Sequence, residues 1–220
     1  MQIVIGDVLP PDEIATVRAA LKRTRFIDGR ETAGFAARAV KNNRQAEGSQ
    51  RSLETIRKLV EQRILGHEVF VLAVRPKALT PVMFARYEDG MHYGSHIDDA
   101  LMQGMRTDVS FTLFLSDPKS YDGGALAIES TSGEESFKLA AGSLVAYPST
   151  SLHRVTAVTR GARLAAVGWA RSYIRDEARR ELLFDLDTAR RQMFARAGKT
   201  EDFDLVSKSL ANLMRMWAED

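Results

Sequence analysis

The chain of 220 residues contains no cysteine. Disulfides, thiolate metal sites and a cysteine nucleophile are therefore excluded. It also lacks any apolar run approaching the ~20 residues that span a bilayer. Its first residues, Met1-Gln2-Ile3-Val4-Ile5-Gly6-Asp7, lack the basic, apolar and small-residue sections of a secretion signal. Net charge is only +2, and no dense Lys/Arg block marks a nucleic-acid footprint. These absences leave a soluble, cytoplasmic protein with no nucleic-acid or membrane partner as the expectation. What is present is 45% hydrophobic residues in a length suited to one compact domain, enough to fill a real core. The chain has no internal repeat and no low-complexity segment.

Pro10-Pro11-Asp12-Glu13 predicts a helix start, with proline in the first turn and acids where the helix dipole favours them. Ile14, Val17 and Leu21 then form one apolar stripe. Residues 38 to 52 are polar and read as an exposed connection. From Ser52, the spacing of Leu53, Ile56, Val60 and Ile64 predicts a second amphipathic helix. From about residue 69 the texture changes to short β-rich runs. These are Val69–Val74, Val82–Tyr87, Val109–Leu115, Ala125–Ile128, Ser143–Tyr147 and Arg163–Trp169. Runs of this kind, each bounded by turn residues, predict a β-sandwich or jelly roll. Asp122-Gly123-Gly124 is a tight-turn sequence, since both glycines take positive φ cheaply. After about residue 175 the pattern is helical again. Asp176 is placed to cap a helix carrying Leu182, Leu183, Leu186 and Phe194, and Gly198 to end it. Val206, Leu210, Leu213, Met214 and Trp217 make a second stripe. That stripe needs burial, either against one end of the sheet or in a homo-oligomer contact through the C-terminal helices.

The expected architecture is mainly β with flanking helices. N-terminal helices over about 10–66 and a jelly-roll core over about 67–175 make one domain, 1–175, followed by a helical extension over 176–220.

The chemistry concentrates in the β-rich part. His96-Ile97-Asp98 is answered by His153 and then by Arg163. Two imidazoles and one carboxylate are the set that holds non-haem iron on one face and leaves the other open. On a strand, residues two apart share a face, so His96 and Asp98 are expected to reach one ion together. His153 follows the run ending at Pro148 and is expected to arrive from another strand. Arg163 is followed by Leu164-Ala165-Ala166-Val167-Gly168-Trp169, which predicts a guanidinium in a confined apolar space that needs an anion. The far carboxylate of 2-oxoglutarate fits that need, and the combination reads as an Fe(II)- and 2-oxoglutarate-dependent oxygenase. A bland alternative exists for each part, because single histidines near strand ends and arginines opening strands are usually structural. His92 and His96 have helical spacing, but Gly90 and Gly94 make a helix there improbable, so His92 is read as rim or surface. His67 offers no partner and is read as structural. Candidates for a substrate-facing rim are His92, Tyr93 and Arg106, and more weakly Arg86 and Arg154.

From Tyr87 to about Asp187 the sequence resembles the bacterial PKHD-type hydroxylases, Fe(II)/2-oxoglutarate dioxygenases related to the prolyl 4-hydroxylases. The match is carried by Ala85-Arg86-Tyr87-Glu88-Asp89-Gly90, His96-Ile97-Asp98, Arg106-Thr107-Asp108-Val109-Ser110 and Thr112-Leu113-Phe114-Leu115-Ser116. It continues through Tyr121-Asp122-Gly123-Gly124, Ala141 to Pro148, His153-Arg154-Val155-Thr156 and Arg163. The tail Arg175-Asp176-Glu177, with Leu183-Phe184-Asp185-Leu186-Asp187, is the distinctive part, because prolyl hydroxylases in general lack it. The resemblance implies a double-stranded β-helix (cupin-like) core, with iron held by His96, Asp98 and His153. It further implies 2-oxoglutarate on Arg163 with Tyr87 beside it, O2 as oxidant, and ascorbate keeping the iron reduced. Phe114 stands where some prolyl hydroxylases place a second tyrosine, and Thr112 is the substitute considered. The expected reaction is hydroxylation of a peptidyl residue, an amino acid or an iron-chelating small molecule. The competing class is a non-catalytic metal- or ligand-binding jelly roll.

Overall fold

Strand alternation in the central sheet sorts residues into two separate environments, one packed on helices and one facing the smaller sheet. The computed structural model describes residues 1–47 and 51–220, apart from the side chains of residues 51 and 52. Among the described residues, six α-helices flank the β core: α1 (Pro11–Lys22), α2 (Phe35–Val40), α3 (Arg51–Gly66), α4 (Glu68–Val74), α5 (Glu177–Ala197) and α6 (Glu201–Trp217). The first strands are β1 (Ile3–Ile5), β2 (Phe26–Asp28), β3 (Lys41–Asn42), β4 (Arg44–Ala46), β5 (Pro76–Leu79), β6 (Met83–Glu88), β7 (His92–His96) and β8 (Leu101–Met102). The rest are β9 (Met105–Arg106), β10 (Val109–Phe114), β11 (Tyr121–Gly123), β12 (Leu126–Ser130), β13 (Gly133–Phe137), β14 (Leu144–Pro148), β15 (His153–Val155) and β16 (Val158–Ser172).

The larger sheet runs β1-β14-β10-β16-β6-β4-β2, with β5 and β11 also paired to β16. The smaller runs β13-β12-β15-β7-β3. Two antiparallel sheets with the site between them form the expected jelly-roll core.

On β10, Val109, Phe111 and Leu113 face a core built with helices α1, α3 and α4, whereas Ser110, Thr112 and Phe114 face the smaller sheet. The same division separates Leu144 and Ala146 from Val145 and Tyr147 on β14, and Phe84 from Ala85 and Tyr87 on β6. The helical side supplies much of the stability. Leu53, Ile56, Val60 and Ile64 of α3 are buried as their spacing predicts, each contributing about 1.5–3 kcal/mol. Gly168 is required there, since a Cβ would come within 2.6 Å of the Phe111 ring.

Two expectations are corrected. Val69–Val74, read as a strand, lies in helix α4. Its buried residues Phe70, Ala73 and Val74 have helical spacing, and packing between the helices and the sheet overrides the β propensity of the valines. The polar stretch 38–52, read as an exposed connection, contains β3 and β4, with Lys41, Asn43 and Gln45 buried. Gly48-Ser49-Gln50, also in that reading, lie outside the described residues.

The C-terminal helices form as expected. Asp176 accepts a hydrogen bond from the Arg179 N–H at 2.8 Å, and Gly198, at φ 68°, terminates α5. Leu183 and Leu210 pack on Ile174, with Leu186, Leu213, Met214 and Trp217 around them. The α6 stripe is thus covered within the chain, while Leu182 and Phe194 face outward. Buried Asp187 accepts from Arg75 at 3.2 Å and Arg190 at 2.6 Å, tying the hairpin to the end of α4. No helix among the described residues is long and apolar enough to cross a membrane.

Candidate active site

His96 ends β7 and His153 begins β15, and the antiparallel register sets these two residues directly opposite each other. Asp98 is not on the strand, which corrects the idea that alternation aligns it with His96. It lies in the segment beyond β7, where Ser110 Oγ donates to its Oδ2 at 2.6 Å and Ser149 meets Ser110 at 2.8 Å. The His96 Nε2 lies 4.0 Å from Asp98 Oδ1, and the His153 Nε2 3.7 Å from Oδ2. One ligand atom from each residue falls within 4.8 Å of the others, a spread small enough for a single cation.

The tautomers also suit a metal. His96 Nδ1 meets the Gly94 carbonyl at 2.8 Å and His153 Nδ1 the Ser151 carbonyl at 3.0 Å. A carbonyl can only accept, so each Nδ1 carries a proton and each Nε2 is the ring nitrogen turned toward Asp98. Burial, and next the neighbouring His153, hold the His96 imidazole well below its ordinary pKa, so it is neutral at pH 7. Tyr93 stacks on His96 at 3.6 Å, and Tyr147 meets the His153 ring edge-on at 5.1 Å, fixing both ring planes.

Arg163 lies within β16, opposite Tyr87 of β6, and is only 1% exposed. Its guanidinium sits 5.1 Å from the Tyr87 ring and 5.3 Å from Phe114. No Asp or Glu among the described residues pairs with it, and its Nε has no hydrogen-bond partner. A buried cation without an anion is costly for the fold alone. Gly124, at φ 63°, lets the backbone approach, since a Cβ there would stand 3.1 Å from Arg163 Cδ. The Tyr121 hydroxyl is buried beside the guanidinium.

One cavity of about 620 Å³ joins these parts: His96, Asp98, His153, Arg163, Tyr87 and Thr112 all line it. Tyr93 lines it too, whereas His92 and Arg106 do not. His92 Nδ1 meets the Gly90 carbonyl at 3.1 Å, beyond an irregularity in the β7–β15 register, and Arg106 is committed to Asp108 at 2.7 Å and Glu219 at 3.1 Å. Arg86 is spent on Glu88 at 2.6 Å, and Arg154 on Glu134 at 2.7 Å on the outer face. His67 is the N-cap residue of α4, away from the site.

Sequence reasoning missed two groups. The Tyr147 hydroxyl lies beside Thr112, and burial, then the Asp98 charge, raises its pKa well above the ordinary value. Lys41, Asn43 and Gln45 form a wall of the cavity. Burial lowers the Lys41 pKa to about 8 against the opposing pull of Asp98 and Asp28. The signal for this wall was a period of two (Lys41, Asn43, Gln45), hidden because its inward residues are polar.

Comparison with known proteins agrees with this geometry. The profile of the 2OG-Fe(II) oxygenase superfamily matches residues 82–171, and that of the PKHD-type hydroxylase C-terminal domain matches 177–219. A PKHD-type hydroxylase of Picosynechococcus sp. is 50% identical over 215 residues, 98% of each chain. One from Maricaulis maris is 50% identical over 220 residues, covering 100% of both. Among solved structures, a Pseudomonas putida prolyl-4-hydroxylase shares the fold with a TM-score of 0.57 at 24% identity, over 78% of this chain and 92% of that one. HygX from Streptomyces hygroscopicus, with nickel and 2-oxoglutarate bound, shares it with a TM-score of 0.55 at 16% identity, over 79% of this chain and 84% of that one. Identity over nearly the whole length, with both profiles in order, decides the assignment: the chain belongs to the PKHD-type hydroxylases of the 2OG-Fe(II) oxygenase superfamily.

Proposed function

We propose that His96, Asp98 and His153 hold Fe(II), that Arg163 anchors 2-oxoglutarate, and that the chain hydroxylates a small or peptidyl substrate bound in the same cavity. The observation that carries this reading is the presence, along one cavity, of a three-donor cation site and a buried arginine without an anion. Iron, 2-oxoglutarate and O2 together supply oxidative decarboxylation to succinate and CO2, coupled to delivery of one oxygen atom to a C–H bond.

The chain's own residues prepare that chemistry. The Gly94 and Ser151 carbonyls hold the imidazole tautomers, while Ser110 orients Asp98. Arg163 offers a fixed fork of donors to the distal carboxylate, with the Tyr87 and Phe114 rings holding the guanidinium in place. Thr112, next to the Tyr147 hydroxyl, offers a further hydrogen bond at the cosubstrate end. Phe114 leaves no hydroxyl where a second tyrosine is expected.

The same proposal makes residues 1–175 the oxygenase domain and 176–220 an extension, supported by the separate profile matches on either side of residue 176. It includes ascorbate as reductant, a cytoplasmic setting, and self-association through the exposed Leu205 and Met216 of α6, which sedimentation velocity tests. For the reaction itself, the test is iron-dependent formation of succinate from 2-oxoglutarate, alongside calorimetric binding of Mn(II) and of 2-oxoglutarate. Wild-type protein should bind both and form succinate. Succinate formation surviving in Asp98→Ala sinks the assignment.

A further inference from the structure

The cavity holds a second buried cation that the oxygenase chemistry leaves unused. Three basic side chains line it: Lys41, Arg57 and Arg163. Arg57 is paired with Glu54 at 2.8 Å, and Arg163 is assigned to the cosubstrate. Lys41 is 7% exposed, and no carboxylate among the described residues lies within ion-pair distance of it. Among the described residues, its ammonium contacts Thr32 Oγ1, at 3.3 Å, and the Tyr93 ring, 5.0 Å from the centroid. That ring is the one stacked on His96, so Lys41 stands one aromatic layer from the metal donors.

Backbone topology explains why the position is fixed. β3 pairs with β7 in the smaller sheet, with Lys41 opposite Tyr93, and β4 pairs with β6 in the larger, with Gln45 opposite Ala85. Asn43 is the residue at which the chain crosses between the sheets. Alternation turns Lys41, Asn43 and Gln45 to the cavity, so one edge of the sandwich is closed by an inward-facing polar strip. Gln45 is held by Thr32, while the buried Asn43 Oδ1 has no partner. A lysine desolvated without an acid and flanked by amides is expensive for folding alone. It is explained if a ligand completes it.

Building on the oxygenase assignment, we propose that this strip recognises the primary substrate, and that the substrate carries a carboxylate that pairs with Lys41. A monoanion matches the single lysine, whereas a phosphate dianion would leave an uncompensated charge among neutral amides. Because the pKa remains near 8, the ammonium is largely charged at neutral pH. The substrate class is therefore a small carboxylic acid, or a peptide presenting a carboxylate to the cavity, and not a neutral amide.

The test uses the full chain with Mn(II) and saturating 2-oxoglutarate, so that Arg163 is occupied. A panel of N-acetyl amino acids is supplied twice, as free acids and as carboxamides, and binding is read by saturation-transfer NMR. At least one acid should bind tenfold or more tightly than its amide. Lys41→Met should reduce that ratio to less than twofold, and Lys41→Arg should preserve most of it. Absence of any acid preference in the wild-type chain, or a preference undiminished in Lys41→Met, overturns the proposal. Calorimetry on the same samples reports Mn(II) and 2-oxoglutarate binding separately. Loss of cosubstrate binding in the wild type would defeat the oxygenase assignment alone, whereas normal cosubstrate binding without acid preference would defeat only the role of Lys41.

Discussion

Arg163 and Lys41 reach one cavity from different sheets, and both are buried cations without a carboxylate partner among the described residues, but they are built differently. Arg163 stands in a 15-residue strand inside the larger sheet, between aromatic rings. Lys41 stands in a two-residue strand at the edge of the smaller sheet, beside hydroxyl and amide groups. Arginine keeps its charge at any accessible pH and offers a planar fork, which suits one invariant dicarboxylate. Lysine offers a compact charge on a flexible stem, which suits ligands whose orientation varies. If the proposed roles hold, the common cosubstrate would sit on the rigid part of the fold and the particular substrate on a short strip crossing between sheets.

The largest effect that tests this contrast belongs to neither cation. Asp98→Ala or His96→Ala should abolish retention of Mn(II) in calorimetry and succinate formation with iron, since the three donors act as one set. Retained tight metal binding in both would mean the cavity is not built round an ion. Next, Arg163→Met should weaken 2-oxoglutarate by about 10–100-fold, corresponding to about 1.5–3 kcal/mol for a charge-assisted bidentate contact. Mn(II) affinity should be unaltered; a change of less than threefold in 2-oxoglutarate affinity would break the comparison. Ser110→Ala removes the 2.6 Å hydrogen bond that orients Asp98 and should lower metal affinity about tenfold, measured by competition with a chelator.

The smallest effect concerns stability. The folded-state pKa of Lys41 is depressed from 10.5 to about 8, so the charged form is penalised in the fold. That cost is full below about pH 8 and disappears as pH rises past 10.5. Lys41→Met removes it, and the variant should gain about 1–3 kcal/mol at pH 7, less about 0.5–1 kcal/mol for the lost contact with Tyr93. Denaturant unfolding at pH 7 and again near the upper limit checks the sign. A variant less stable than wild type at pH 7 would make Lys41 a structural residue.

Legibility from sequence followed periodicity. Leu53, Ile56, Val60 and Ile64 declared a helix, and Val109 to Leu115 a strand, because their apolar residues mark the buried face. Val69–Val74 failed because six apolar or β-branched residues in a row fit a buried strand and a buried helix turn equally well, and only the neighbours choose. The strip at 41–45 failed for the opposite reason: its buried face is polar, so hydrophobic patterning reported an exposed loop. Alternation also misplaced Asp98 on the strand of His96. The carboxylate reaches the imidazoles through a bend past β7, held by Ser110.

The residue types alone set the chemistry available: with no cysteine, thiolate metal sites were excluded and any donors had to be histidine or carboxylate, as in His96, Asp98 and His153, and an arginine in an apolar run called for an anion. Donor identity is a property of side chains and is carried by the order of residues. Tertiary structure alone decided which donors meet, which tautomers they hold, and that Lys41 shares their cavity. Those outcomes depend on strands distant in sequence pairing in one register, and short-range patterns do not encode where such strands end up relative to each other.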